Sequence, residues 1–356
     1  MRMKVRSRIC LILVVMIFSA HGAYAQSTYP SDVGSLSRGA QAGGVTIAIS
    51  PEHPTPGSFV HLLAASFSAD LDRSDIVWLA NNKAMAQGPG LKEADVVAGP
   101  LGSATDITVI ANGQNGNVAS GEVHIRPTEL DLLWESDSYV HPFYRGRTVP
   151  SAGTSLRLQA IPRFKLPGGQ QMPERDLIFT WRRNGSVVQS ASGRGRSSAI
   201  LPSPVLFGTD TITVNAESLD GSLSGEASVQ IPSTEPILEL YMDHPLLGVM
   251  YHQALLPQTS IADSEMTFVA VPYFAQIQNP DDPRLAYVWR VNGNDIETDL
   301  TRPSELTINA DKSNGLALIE LALGHTGNLL MRSGGKWGVL FSSGGGNADP
   351  FGAATQ

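Results

Sequence analysis

Histidine stands next to proline at three places in this chain, in His53-Pro54, His141-Pro142 and His244-Pro245. Imidazole is a common zinc ligand, so the pairs first suggest three similar metal or ligand sites, with His244, His252 and Asp243 as the best zinc-like set. That spacing matches no established metal motif. Because proline keeps the preceding residue extended and has no N–H to donate, a strand exit explains the pairs more simply. We therefore predict turns at these pairs and no metal site.

Two acidic loops are a second candidate for chemistry. One contains Asp70, Asp72 and Asp75, and the other runs from Asn279 to Asp282. Oxygen-rich loops of this kind can hold Ca²⁺ between exported domains. Neither loop matches an EF-hand or a repeat-type calcium motif, and we interpret both as solvated polar loops.

Motifs for nucleophilic or hydrolytic catalysis are missing. The chain has no Gly-x-Ser-x-Gly elbow, no His-Glu-x-x-His and no phosphate-binding glycine loop. The run Ser333-Gly-Gly-Lys336 spells Ser-x-x-Lys, but it lies in a predicted hairpin and its partner motifs are absent. We predict a protein that is not an enzyme and has no catalytic residues, metal or cofactor.

Arginines concentrate in the middle of the chain, where Arg145, Arg147, Arg194 and Arg196 are candidate partner-binding residues. Acids and bases balance in residues 128–232, whereas acids exceed bases by seven in residues 233–342. The arginine loops could therefore steer this part of the chain toward an acidic partner, such as the acidic third segment of a neighbouring molecule. Solvated loops are the alternative interpretation.

A tryptophan followed three residues later by an asparagine occurs three times. The pairs are Trp78 with Asn81, Trp181 with Asn184, and Trp289 with Asn292. The tryptophans are 103 and 108 residues apart (181 − 78 and 289 − 181). This is the size of a small β-sandwich and too long for a solenoid repeat. The period predicts three tandem domains.

The tryptophans could in principle be platforms for stacking sugars. Each one lies in an apolar run of strand type, at the same place in every copy, so we predict that all three are structural core residues. The asparagines begin tight turns, continued by Gly185 and Gly293 in the second and third copies, because Asn and Gly tolerate positive φ.

Strand-length alternating runs on either side of each tryptophan complete the three copies. Proline-containing strand ends near 127 and 232 divide the chain into domains at 45–127, 128–232 and 233–342. The linkers between these domains are very short, which predicts stiff end-to-end coupling.

This pattern resembles the immunoglobulin-like sandwiches of bacterial surface and periplasmic proteins, close to the PKD-type modules. The shared features are the aromatic residue on a central strand, the Asn-Gly-type turn after it and a late strand of the Thr-Ile-Thr-Val type. The resemblance covers residues 45–342. It implies that the aromatic residue packs between two sheets and that the turn joins two neighbouring strands.

The N-terminus has the pattern of a secretory signal peptide. Four basic residues precede the apolar run Ile9–Phe18, and Ala23-Tyr24-Ala25 fits a cleavage site. We predict a signal peptide at 1–25, a flexible leader at 26–44 and a flexible tail at 343–356. An uncleaved signal is the alternative, and it would be the only contact with a membrane. The single cysteine, Cys10, lies in the signal, so the predicted mature chain has no disulfide and no thiol.

Composition favours an exported β-protein. Only 16% of residues are charged, while glycine (35) and proline (23) are abundant. Removing the four signal cations changes the formal charge from −8 to −12, which disfavours nucleic acid and anionic lipid as partners.

We therefore expect an exported, all-β, non-enzymatic protein with three tandem immunoglobulin-like sandwiches. Its expected role is structural or adhesive: a spacer or binding module at the cell surface or in the periplasm, as in a pilus or secretion assembly. The expected partners are cell-envelope proteins or a second copy of the chain. The alternative is a carbohydrate-binding accessory, which should expose coplanar aromatic residues, or a periplasmic enzyme subunit, which needs a cleft. Three sandwiches without added insertions leave little room for a cleft.

Overall fold

The chain folds as β-sheet throughout the part that the structure describes. The computed structural model describes residues 44–114, 116–261, 265–310 and 315–341. In these ranges there are 24 strands, two single turns of 3₁₀-helix and no α-helix. The predicted signal peptide, the leader up to residue 43 and the predicted tail lie outside the described residues.

The first sandwich uses seven strands. They are β1 (Thr46–Ser50), β2 (Phe59–Ala65), β3 (Asp75–Ala80), β4 (Lys83–Pro89), β5 (Glu93–Val97), β6 (Thr105–Asn112) and β7 (Val118–Ile125). They form two antiparallel sheets, ordered β1-β2-β5 and β4-β3-β6-β7. Along β2 every second residue is buried, namely Val60, Leu62 and Ala64, because alternate side chains of a strand point to opposite faces.

The second sandwich repeats this arrangement. Its strands are β8 (Glu129–Ser136), β9 (Ser155–Arg163), β10 (Leu177–Arg183), β11 (Ser186–Val187), β12 (Gly193–Arg194), β13 (Ser198–Pro202), β14 (Thr209–Ser218) and β15 (Ser224–Pro232). The sheets are ordered β13-β9-β8 and β11-β10-β14-β15, and the short β12 pairs with β10.

The third sandwich has additional strands. Its strands are β16 (Ile237–His244), β17 (Gly248–Ala254), β18 (Gln258–Ile261), β19 (Glu265–Tyr273), β20 (Leu285–Val291), β21 (Asn294–Ile296), β22 (Glu305–Asn309), β23 (Gly315–His325) and β24 (Arg332–Phe341). The sheets are ordered β17-β16-β19-β22 and β18-β24-β23-β20-β21. Strand β18 pairs in parallel with β24.

All three copies share one strand order. In each copy, one sheet contains β1, β2 and β5 or the strands that correspond to them, and it faces a second sheet. In the second sheet, the tryptophan strand lies between an edge strand and the hairpin formed by the last two strands. Each copy encloses its own apolar cluster, and the recurring tryptophan belongs to that cluster in every case. The protein is thus a tandem of three immunoglobulin-like β-sandwiches.

The alternating pattern in the sequence missed several of the edge strands. Strand β4, for example, reads Lys-Ala-Met-Ala-Gln-Gly-Pro and has no β-branched residue. It is held by hydrogen bonds to β3 and lies at the edge of its sheet, where composition constrains a strand little.

The expectation of sandwiches without added elements is wrong in the second and third copies. The connection between β8 and β9 spans residues 137–154, whereas the equivalent connection between β1 and β2 spans only 51–58. In the third copy, β17 adds a hairpin to the edge of the first sheet. His244-Pro245 lies at the start of that hairpin turn, so a His-Pro pair there marks a reversal into a new strand.

Short, hydrogen-bonded junctions join the copies. Residues 126–128 separate β7 from β8, and residues 233–236 separate β15 from β16. At the first junction, Thr128 donates its N–H to Pro54 O (3.1 Å) and its hydroxyl to Ser224 O (2.5 Å). His53 Nδ1 lies 3.0 Å from Ser224 Oγ. The first His-Pro pair therefore contributes to a contact between two sandwiches.

Candidate functional site

The three recurring tryptophans are buried and tethered in the same way. Each indole Nε1–H donates to a backbone carbonyl two residues before a later strand of the same copy, which is β5, β13 or β22. The pairs are Trp78 with Leu91 O (2.9 Å), Trp181 with Arg196 O (2.9 Å) and Trp289 with Pro303 O (3.0 Å). The exposed fraction of these side chains is 0%, 0% and 1%. Rings buried to this degree cannot stack against a sugar.

The recurring asparagines connect the tryptophan strand to its neighbour. Each Oδ1 accepts a backbone N–H from the facing strand, and each asparagine N–H donates to the carbonyl of the same residue; the pairs are Asn81 with Asp106, Asn184 with Thr211, and Asn292 with Leu318. All three asparagines have positive φ, as do Asn82, Gly185 and Gly293 after them. Two successive positive φ values are typical of a type I′ hairpin turn. The Trp-x-x-Asn pattern thus joins strands of the fold.

The histidines of the His-Pro pairs have three different environments. His53 lies at the first junction, and His244 Nδ1 accepts the N–H of Leu246 (3.1 Å) within a turn. His141 lies in an aromatic cluster. Among the described residues, no three His, Asp or Glu side chains come together as a metal-binding group, and this includes His244 with His252 and Asp243.

Internal contacts occupy the acidic loops. Asp72 pairs with Lys92 (2.8 Å), and Asp281 accepts the hydroxyl hydrogen of Ser304 (2.8 Å). Asp282 is buried and pairs with Arg284 (2.6 Å), whose hydrogen bonds lower the pKa of this carboxyl group to about 2.

The four candidate arginines fall into two groups. Arg194 pairs with Asp176 (2.9 Å), and Arg196 donates to Ser190 O (2.5 Å). Arg147 lies over the Trp134 ring at 4.8 Å, as in a cation–π contact. Arg145 is exposed and has no hydrogen-bond or ion-pair partner within the described ranges. The structure therefore leaves Arg145 free to contact a ligand.

The connection at 137–154 packs on the third sandwich. The N–H of Tyr139 donates to Ala275 O (2.9 Å), and the N–H of Phe274 donates to Tyr139 O (2.6 Å). The hydroxyl of Ser151 donates to Phe274 O (2.5 Å), and the Asn328 amide donates to Ala152 O (2.7 Å). These bonds fix the second junction.

An aromatic cluster lies beneath this connection. His141 stacks on Tyr251 with ring centroids 4.5 Å apart and planes at 5°. The hydroxyls of Tyr241 and Tyr273 are 2.6 Å apart. Burial lowers the pKa of His141 and raises the pKa of Tyr139 to about 12, so the first stays neutral and the second protonated at neutral pH.

An open groove of about 520 Å³ lies at the outer side of this cluster. Its lining includes the rings of His141, Phe143, Tyr144 and Tyr251 together with Arg145 and His252. None of the described residues that line the groove carries a carboxylate. The volume is within the range of ligand sites, roughly 300–1,000 Å³. The arrangement can bind a ligand by ring stacking and by one cation, and we take it as the candidate site.

Sequence reasoning identified Arg145 but not the groove around it. The run His-Pro-Phe-Tyr-Arg at 141–145 carries a signal, because aromatic residues and arginine together are typical of binding surfaces. Tyr251 stands more than 100 residues later in the sequence. Its place beside His141 depends on how the third sandwich docks on the second.

In the described residues, no helix is long and apolar enough to cross a membrane.

No protein-family model and no curated protein matches the chain. Solved structures of tandem β-domains are similar to it at low sequence identity. The fibronectin(III)-like modules of Clostridium thermocellum CbhA share 12% identity over 53% of this chain and 95% of theirs, with a TM-score of 0.27. Three N-terminal domains of the bacteriophage RB49 outer capsid protein Hoc share 14% identity over 85% of this chain and 100% of theirs, with a TM-score of 0.23. The central fibronectin-III array of RIM-binding protein shares 10% identity over 85% of this chain and 98% of its own length, with a TM-score of 0.29. Because these scores are low, the assignment of the fold rests on the strand order described above.

Proposed function

We propose that this protein is an exported structural or binding module, in which three sandwiches act as a stiff spacer and display the groove at the second junction. The observation that carries the proposal is the set of hydrogen bonds between the 137–154 connection and the third sandwich. Bonds from Tyr139, Ser151 and Asn328 cross this boundary. A flexible array would need no such bonds.

The first junction supports the same role. Its linker has three residues, and bonds from Thr128 and His53 connect the flanking sandwiches. Short linkers with few free backbone groups restrict the motion between domains. A stiff array holds a binding surface at a fixed distance from its point of attachment, which suits a spacer or adhesive component of a pilus or secretion assembly.

The proposed location is the cell surface or the periplasm, and the proposed partners are envelope proteins or a second copy of the chain. The predicted cleavage after Ala25 supports export. Cell fractionation together with N-terminal sequencing tests this. A cytoplasmic protein that keeps residues 1–25 would contradict it.

Distance measurements test the stiffness. Because the predicted mature chain has no cysteine, Gln189→Cys and Asn294→Cys place spin labels at exposed positions on the second and third sandwiches alone. Pulsed electron spin resonance should give one narrow distance distribution. Adding Ser151→Ala and Asn328→Ala should broaden it, whereas Ser198→Ala, at an exposed position on β13, should not. A broad distribution in the starting protein would refute the spacer.

The second candidate function is that of a carbohydrate-binding accessory, and the groove is the observation that favours it. The buried tryptophans play no part in this candidate. Phe143 and Tyr251 supply the aromatic surface instead, with their ring centroids 6.0 Å apart. A first test compares binding to a glycan resin before and after periodate oxidation, which opens the sugar rings. The protein should bind the untreated resin and lose its binding to the oxidised resin.

A further inference from the structure

The groove has a preformed aromatic surface. Phe143 is 72% exposed, and its ring is tilted by 52° from that of Tyr251. The stack on His141 covers one face of Tyr251 and holds the ring in place. A ligand that meets this surface does not need to order it first, which lowers the entropic cost of binding.

The backbone around the groove is fixed as well. His141 Nδ1 accepts the N–H of Phe143 (3.1 Å), which holds the exposed phenyl ring beside the stack. Phe274, which anchors Tyr139, has φ of 65°, a conformation that is strained for a bulky residue. The junction contacts stabilise this conformation, so the groove depends on the docking of the two sandwiches.

The charge of the groove selects an anion. Arg145 is exposed and unpaired within the described part of the chain, while Arg147, Arg194 and Arg196 are engaged elsewhere. His252 adds an exposed imidazole at the rim. Asp243, whose charge adds to the effect of burial in raising the pKa of Tyr251, lies on the neighbouring strand β16 and is not part of the lining.

The shape favours a saccharide over a peptide. Sugar rings offer C–H faces that lie against aromatic rings, and their hydroxyls can stay in the water of an open groove. A peptide would add to the edge strand β17, but the pairing of β17 with β16 is interrupted between Tyr241 and Asp243. Such an irregularity disfavours regular strand addition.

We infer that the groove binds an acidic saccharide, with sugar rings on Phe143 and Tyr251 and a carboxylate on Arg145. This inference rests on the binding role proposed above and names its ligand class. Arg145 presents a planar guanidinium that can hold a carboxylate through two hydrogen bonds. Stacking then supplies affinity, and the arginine supplies the preference for acid over neutral sugar.

Titration of the mature chain with trigalacturonic acid and with its methyl ester tests the inference. The two probes have the same rings and differ in charge. The acid should bind about tenfold more tightly than the ester, since a hydrogen bond to a charged group contributes that much or more. Isothermal titration calorimetry at fixed ionic strength gives both affinities.

Three variants separate the contributions. Arg145→Gln should reduce the affinity for the acid about tenfold, to that of the ester, and leave the ester unchanged. Phe143→Ala should reduce the affinity of the protein for both probes. Arg182→Gln removes the same charge from the same sandwich outside the groove and should change neither affinity.

Equal affinities for acid and ester, no binding of either probe, or no effect of Arg145→Gln would each overturn the inference. Each of these outcomes leaves the distance distribution between the spin labels unchanged. Failure of the acidic-saccharide site is therefore distinguishable from failure of the spacer.

Discussion

Replacing Trp181 by phenylalanine tests the tether that all three sandwiches share. The change removes the indole N–H that donates to Arg196 O at 2.9 Å, and it shortens a side chain with no exposed surface. Losing the donor costs about 1–2 kcal/mol. The smaller ring leaves a cavity that costs about 1 kcal/mol more. We expect the second sandwich to lose about 2–3 kcal/mol of unfolding free energy in total.

Trp134 in the same sandwich is the matched control. Its Nε1 is buried and has no hydrogen-bond partner among the described residues, and its ring is partly buried. Trp134→Phe therefore removes the same chemical group without breaking a hydrogen bond. We expect a cost below about 1 kcal/mol.

Hydrogen exchange measured by mass spectrometry resolves the two effects. Peptides from β14, which pairs with the Trp181 strand, report on this sandwich without interference from the other two. Trp181→Phe should reduce their protection by a factor of about 30 to 150, given that 1.4 kcal/mol corresponds to tenfold. Equal losses for Trp181→Phe and Trp134→Phe would refute the role of the tether.

Three further predictions concern stability. In urea unfolding, Asn292→Ala should destabilise the third sandwich by about 1 kcal/mol more than Asn292→Gly. Both variants lose the side-chain acceptor, but only alanine is strained at φ of 53°. Equal losses of unfolding free energy would argue against strain. Burial lowers the folded-state pKa of His141 and His325 below 6.5, so the unfolded chain binds protons more readily. Stability should therefore be full above about pH 7.5 and fall as the pH decreases through 6.5. A His141→Gln, His325→Gln double variant should show a smaller fall in its urea midpoint. Asp210→Ala removes the buried partner of Arg183 and should cost about 2–3 kcal/mol of unfolding free energy. Asp176→Ala breaks the more exposed pair with Arg194 and should cost about 0.5 kcal/mol or less. Similar shifts in calorimetric Tm for the two variants would contradict this.

Local pattern was enough to predict most of the strands. Alternating runs such as Phe59–Ala65 carry their own signal, because burial on one face of a strand requires an apolar residue at every second position. Edge strands such as Lys83–Pro89 carry little signal, since their position follows from the neighbour to which they bond. The bond from Trp181 to Arg196 spans a loop and could not be predicted, although the choice of tryptophan over phenylalanine at all three positions is consistent with a need for the N–H donor.

The candidate site depended on tertiary structure to a greater degree. Arg145 and Arg194 look equivalent in the sequence, as exposed arginines in glycine-containing loops. The fold places Asp176 beside Arg194 and places aromatic rings beside Arg145. Charge pairing is set by which loops meet, and the spacing of residues along the chain does not specify that.

The sequence by itself determined the number of sandwiches and the residues at their centres. Residues such as Trp78 and Asn81 recur because each sandwich forms its own core and its own hairpin turn within roughly 100 residues. Tertiary structure decided the groove, because Phe143 and Tyr251 belong to different sandwiches and meet through the docking of one on the other. A core is specified by local alternation of apolar residues, whereas a surface between domains is specified by contacts that leave no periodic trace in the chain.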